Sequence, residues 1–359
     1  MSLLSLSGLF SSAGSTLRTI VIAVLLFAFL IFVHELGHFL SAKLLGVRVN
    51  EFSLGFGPAI FKKQKGETLY ALRVIPFGGY CAMEGEEEES DEEGSFSRKP
   101  AWKRFIITFA GAFNNLVLGF LVVVILMGIN DGAFASSTVS RFRGDDIRSA
   151  STGLREGDTI RRVNGSRIFV ADDITYEIMR DSDGVVEMEV LREGEKVTLP
   201  AVEFKVEPTD EGFNLVYVDF YVQPMEKNFG SVISQAGLKT VSIARMVWQS
   251  LFDLVTGRYG INQLAGPVGT ANVIGQAANR SMEDLLYIIA LITINLGVFN
   301  LLPIPALDGG RLFFLLIEMI SRKKIPPKYE GYIHTAGFAL LILLMVFVTF
   351  NDIVRLIKG

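Results

Sequence analysis

The chain has 359 residues, of which 50% are hydrophobic and 20% charged, with a mean hydropathy of +0.40. That balance is too apolar for one ordinary soluble domain and makes a membrane protein the first class to test. Its 34 basic and 38 acidic residues leave a net charge of -4, so no basic excess exists to neutralise a phosphate backbone and nucleic-acid binding is excluded. A single cysteine, Cys81, and three histidines rule out disulfides and any cysteine-rich zinc knuckle, so a metal site would have to use imidazole and carboxylate.

In chain order, four long gaps between charges predict spanning helices: residues 19–42, broken only by Glu35, then 105–130, 285–307 and 331–351. Arg18 before the first apolar run resembles a signal peptide, but the run exceeds signal length and no A-x-A site follows, so a retained helix is expected. Residues 47–80, rich in glycine and short apolar runs, predict a β-hairpin or small sheet at the membrane surface. Eight acidic residues between Glu84 and Glu93 then predict a solvated, disordered linker. Ten basic residues lie between spans one and two, and Arg311, Arg322, Lys323, Lys324 and Lys328 follow span three. This bias predicts that both loops, with 311–330 read as a loop throughout, are cytoplasmic, and that both chain termini and residues 131–284 are extracytoplasmic.

Residues 131–207 read as a small mixed domain. Asn164-Gly165 separates two strand-like runs in DTIRRVNGSRIFV, a type I′ hairpin signal. Asp172 and Asp173 can cap a short helix through Arg180, and a second hairpin is expected across 185–202, turning at Glu193-Gly194. Residues 208–284 are expected to be an amphipathic helical region, because Ile233, Val241, Ala244, Val247, Trp248, Leu251 and Val255 recur at helical spacing. Periodicity alone leaves open whether that helix lies on the membrane or in the core of the outer domain.

The chemistry concentrates in His34-Glu35-Leu36-Gly37-His38, an H-E-x-x-H string on the first predicted span. Helical spacing of four puts both imidazoles on one face, where two neutral rings can hold zinc while the unligated glutamate exchanges protons. Such residues inside an apolar span are costly unless they pair, coordinate a metal or line a wet cavity. A catalytic zinc site uses three protein ligands. Asp308, directly after span three in NLLPIPALDGG, is the better third candidate, while His334 at the start of span four stays open. Pro303 and Pro305 break the helix there, leaving irregular backbone that membrane depth tolerates only beside protein or water.

At this point the chain resembles the site-2 protease family of intramembrane zinc metalloproteases, in its bacterial branch carrying an outer PDZ domain. The resemblance runs over nearly the whole chain through FVHELGHFLSAKLLGV, EFSLGFGPAIFKK with RVIPFGGY, GLREGDTIRRVNG, LAGPVGTA and NLGVFNLLPIPALDGGRL. It implies a polytopic α-helical membrane protein with four transmembrane helices, a cytoplasmic membrane-associated β-hairpin and one extracytoplasmic PDZ-like α+β domain. It implies one zinc ion on His34, His38 and Asp308, Glu35 as general base, and substrate-positioning roles for Asn295 and Asn300. The family's Gly-Pro-x-x-Asn string stands here as Gly111-Ala112-Phe113-Asn114-Asn115. Asn115 keeps its place without the proline, so a kink in span two is not expected from it.

The implied substrates are transmembrane proteins of the bacterial cytoplasmic membrane, such as anti-sigma factors already trimmed by a site-1 protease, or remnant signal peptides. A helical substrate hides its peptide bonds, so the hairpin around Gly78 and Gly79 is expected to hold an unwound segment by strand addition. Two other readings compete: a non-catalytic PDZ membrane adaptor, which would not need Glu35, and a metal transporter, which usually shows internal repeats that are absent here.

Overall fold

The computed structural model describes residues 3–358 except 87, 89, 210–213, 259 and 261–263. The chain divides into two compact units, Met1–Leu126 with Ile243–Gly359, and Met127–Ser242.

The first unit is built on four helices long and apolar enough to cross a membrane. They lie in α1 (Leu3–Leu44), α2 (Ala101–Ile129), α7 (Met282–Leu301) and α9 (Pro327–Lys358). Helices in lipid gain little from apolar burial against one another, so close packing at small residues has to hold them together. A Cβ on Gly37 of α1 would stand 2.3 Å from the carbonyl oxygen of Ala110, and one on Gly119 of α2 would stand 2.4 Å from Ile294 of α7. These backbones therefore approach as closely as glycine permits.

Between α1 and α2 runs the hairpin of β1 (Val49–Lys65) and β2 (Thr68–Met83), antiparallel with several bulges. Its base packs on the end of α1 and the start of α2 through a cluster of Ala42, Val47, Val49, Cys81, Met83, Phe96 and Ile107. Its far half leaves Phe56, Ile60, Phe61, Leu72, Val74 and Ile75 exposed, an apolar patch suited to a membrane surface. The acidic stretch after β2 departs from the disordered linker expected of it. Glu84 bonds Asn50 and Ser90, Arg48 pairs with Glu92, Glu86 pairs with Arg311, and a 3-10 turn follows at Phe96–Arg98. Fixed cationic and amide partners order these carboxylates, which composition alone cannot reveal; Glu87 and Glu89 lie outside the described residues.

Two further corrections concern the second half. Residues 311–330 are not a plain loop: α7 stops at Leu301, and a new helix α8 (Asp308–Ser321) begins after the proline-containing turn. Leu312 and Leu315 are buried along α8, so its apolar face supports a helix where charge counting suggested a connection. The helical region expected from residue 208 begins with strand instead.

In the second unit β3 (Phe134–Phe142), β4 (Thr159–Val163), β5 (Ser166–Arg167), β6 (Val185–Arg192), β7 (Glu195–Glu203) and β10 (Phe220–Met225) form one antiparallel sheet, in the order β10-β3-β4-β6-β7 with β5 on β4. Short α3 (Arg148–Ser151) and α4 (Ala171–Met179) accompany it, and β8 (Lys205–Pro208) pairs with β9 (Asn214–Tyr217). Positive φ at Asn164 and Gly165, and at Glu193 and Gly194, sits at the two expected hairpin turns. The α4 cap differs in detail: Val170 is the N-cap, and Asp173 accepts from the amides of Phe169 and Val170. The core gathers Ile160, Val163, Ile174, Ile178, Val186, Met188, Val190, Val202 and Phe204. Helix α5 (Phe229–Val255) ties its first half to α4 through Lys239 with Asp172 and Ser242 with Asp173. Helix α6 (Pro267–Arg280) returns to the first unit, where it packs on α1: a Cβ on Gly275 would stand 2.4 Å from Thr19.

Replacing Gly37 by valine forces α1 away from α2. The loss is expected to be about 1–3 kcal/mol, the usual cost of overpacking, read as a lower midpoint of unfolding in detergent. An unchanged midpoint would contradict the close approach.

Candidate metal centre

Helix α1 carries His34 and His38 one turn apart, and α8 brings Asp308 to the same point from the other side of the chain. The Nε2 atoms of the two imidazoles are 3.2 Å apart. Asp308 Oδ2 lies 3.1 Å from that of His34 and 3.3 Å from that of His38. Four donors placed tetrahedrally about 2.0–2.1 Å from a zinc ion stand about 3.3–3.4 Å from one another. The three atoms therefore form one face of such a tetrahedron. Asp308 Oδ2 is buried and, despite these short separations, makes no well-directed hydrogen bond. Converging lone pairs of this kind suit a cation rather than N–H···O pairing, and the residues fit zinc. Among the described residues His34, His38 and Asp308 are the one group of three with metal-ligand spacing.

Local structure explains how Asp308 arrives there. Leu302 to Leu307 form a tight non-helical turn, with Ala306 at φ 75° and its amide donating to His334 Nδ1 at 3.0 Å. His334, left open above as a third ligand, is thus occupied in holding this turn and stands outside the cluster. A Cβ on Gly309 would stand 2.0 Å from the Leu302 carbonyl oxygen, and one on Gly310 2.6 Å from that of Ile304, so the two glycines let α8 start directly beneath the turn. Asp308 is the first residue of α8 and makes no capping bond there. Farther along α8, Glu318 pairs with Arg104 of α2, both 12% exposed, which fixes the helix beside α2.

The three ligating candidates line a cavity of about 300 Å³ together with Glu35, Tyr80, Cys81, Ala82, Met83, Glu86, Thr108 and Arg311. Glu35, one residue after His34, points toward β2: a Cβ on Gly79 would stand 3.3 Å from its Cγ. Gly78, with φ 96°, lies under the Phe56 ring. The two glycines therefore bring strand backbone to the carboxylate. Asn115 is fully buried and reaches His34 Nδ1 at 3.3 Å. Asn295 is exposed and Asn300 half-buried on α7, and neither lines the cavity.

Sequence reasoning missed Arg311. It lies one turn beyond Asp308 and pairs with Glu86 and, at 3.3 Å, with Glu330. Burial works against its charge, but the attraction of Glu86 and Glu330 outweighs burial and holds the guanidinium above its ordinary pKa. Its place in the LDGGR string, on the side of α8 that carries Asp308, was the available signal.

Peptidase family M50 matches residues 22–344 of the chain. A Clostridium perfringens protein whose name assigns it provisionally to the zinc metalloproteases is 38% identical over 337 residues, covering 93% of this chain and 98% of that protein. Zinc metalloprotease RasP of Bacillus licheniformis is 30% identical over 421 residues, covering 95% and 100%. Regulator of sigma-W protease RasP of Bacillus subtilis is 29% identical over 420 residues, covering 94% and 99%.

Replacing Arg311 by glutamine removes the cation that holds Glu86. Digestion of the purified protein by a soluble protease is expected to cut the segment between residues 84 and 95 severalfold faster, as read by mass spectrometry. An unaltered cutting rate would show that this contact does not order the segment.

Proposed function

The chain belongs to peptidase family M50, the site-2 proteases, and from that premise we propose that this membrane zinc metalloprotease hydrolyses a peptide bond within the transmembrane segment of another membrane protein. The observation that carries the reading is the meeting of His34, His38 and Asp308 donor atoms at 3.1–3.3 Å in a cavity shared with Glu35.

In this reading His34, His38 and Asp308 hold the zinc ion. Zinc bound there supplies Lewis-acid chemistry, polarising a carbonyl and acidifying water. Glu35 is not needed as a ligand, so its carboxylate is free to accept a proton from the attacking water and to pass it to the leaving amide nitrogen. The half-buried position of Glu35 against Gly79 limits bulk water around it while leaving it open to the cavity.

The hairpin serves the substrate. A helical segment shields its own peptide groups, so it must be extended before attack, and an exposed strand edge can pair with the extended form. Gly78 and Gly79 allow β2 to bring such an edge beside Glu35. Asn295 and Asn300 keep the positioning role implied by the family strings around them.

The excess of basic residues in the two loops supports a metal centre facing the cytoplasm, and an extracytoplasmic side for residues 131–284 and both termini. The Met127–Ser242 unit reads as a PDZ-like domain. Its cavity of about 390 Å³, lined by Ile174 and Thr175 of α4 with Tyr217, Phe220 and Val222, suits an extended peptide. The name of the Bacillus subtilis relative points to control of a sigma factor, so an anti-sigma factor already shortened by a site-1 protease is the substrate type to test first.

The decisive assay incubates purified protein with a tagged single-span substrate trimmed on its outer side. Glu35→Gln is expected to lower cleavage by about a hundredfold to ten-thousandfold, the usual contribution of a general base, while retaining one zinc. Asp308→Ala is expected to lose both cleavage and metal. Equal cleavage by wild type and Glu35→Gln would contradict the assignment. Gly79→Pro is expected to slow cleavage with zinc retained, and unaltered turnover would count against strand addition.

A further inference from the structure

Zinc-binding imidazoles are oriented by what their second nitrogen meets. Here both second nitrogens face α2. His38 Nδ1 lies 2.9 Å from the carbonyl oxygen of Ile107, and His34 Nδ1 lies 3.3 Å from the side-chain amide of Asn115. Ile107, Gly111 and Asn115 follow one another at intervals of four, forming one stripe along the helix. Gly111 at the centre admits the rings: a Cβ there would stand 2.3 Å from His38 Nε2 and 2.9 Å from His34 Cε1. α2 is continuous from Ala101 to Ile129, so the stripe stays in register through the place where the family string has proline.

We propose that Asn115 is a positioning residue for His34, its buried amide fixing the rotation and tautomer of that ring, rather than a residue that contacts substrate. The inference rests on the reading of His34 as a zinc ligand. An imidazole that gives the Nε2 lone pair to a metal carries its proton on Nδ1 and needs an acceptor there. His38 has one in the Ile107 carbonyl. For His34 the group at that place is the Asn115 amide, whose oxygen and nitrogen ends are told apart only by their partners. As placed, Nδ2 is the end 3.3 Å from Nδ1, and Oδ1 on the far side is buried without a hydrogen-bond donor. Turning the amide over gives that orphaned oxygen the Nδ1 proton of His34, which is the orientation a metal-bound ring requires. A substrate contact fits poorly, because Asn115 is 0% exposed and lines none of the cavity. The adjacent Asn114 acts elsewhere, its amide donating to the Val33 carbonyl at 3.3 Å.

The test measures zinc affinity of the full-length protein in detergent, stripped of metal and titrated against a chromophoric chelator, with the visible spectrum of the cobalt-substituted form as a second readout. Asn115→Leu keeps the approximate shape and removes the acceptor. It is expected to weaken zinc binding by about 10–100-fold, the usual effect of losing a ligand's hydrogen-bond partner, and to change the cobalt spectrum. Asn115→Asp keeps an acceptor and is expected to restore both toward wild type. Unchanged affinity and spectrum in Asn115→Leu would overturn the inference, and so would equal losses in both variants, which would mark a packing role only. If wild type itself binds no zinc, the reading of His34 as a ligand fails first, and the result is distinct from both of these.

Discussion

Two imidazoles and two carboxylates within helices long and apolar enough to cross a membrane, or at their edge, set the constraint on which this structure depends. Moving such groups away from water is expensive unless they satisfy one another or a cation. His34 and His38 reach that condition only if a third donor arrives from elsewhere in the chain. Asp308 does so because α7 stops at Leu301, a turn containing two prolines reverses the path, and α8 restarts on Asp308 itself. The site is therefore not local to the H-E-x-x-H string. It exists because α8 is held beside α2 by Arg104 with Glu318 and beside the acidic segment after the hairpin by Arg311 with Glu86.

Small residues convert that constraint into geometry. Gly37 and Gly111 let α1 and α2 close on the imidazoles, Gly79 lets β2 reach Glu35, and Gly309 and Gly310 let α8 begin under the turn. At each position an added Cβ would meet an atom at 3.3 Å or less, so bulk here would displace the site rather than merely destabilise the bundle. The same close packing leaves a cavity of about 300 Å³ beside the three donors and Glu35.

Much of this was legible in the sequence because its signals are local. Charge-free runs mark spans, Asn164-Gly165 and Glu193-Gly194 mark turns, and spacing of four puts two histidines on one helix face. What was not legible depends on distant partners. Glu84, Glu86 and Glu92 read as a solvated acidic run, yet each has a partner distant in the chain, Asn50, Arg311 and Arg48 respectively. Residues 214–225 fell within the helical region expected over 208–284, yet β10 completes a sheet by pairing with β3, some 80 residues earlier in sequence. The use of His334 as an anchor for the Ala306 amide was invisible for the same reason, and the LDGGR string set Arg311 beside Asp308 without revealing its partners Glu86 and Glu330.

The most direct test of the central claim is the zinc-edge X-ray absorption spectrum of the purified protein. Two imidazole nitrogens and carboxylate or water oxygens at about 2.0–2.2 Å are expected, with the imidazole contribution halved in His34→Ala. Cys81 lines the same cavity, so a sulfur shell at about 2.3 Å, or an all-oxygen shell, would contradict a centre built from His34, His38 and Asp308.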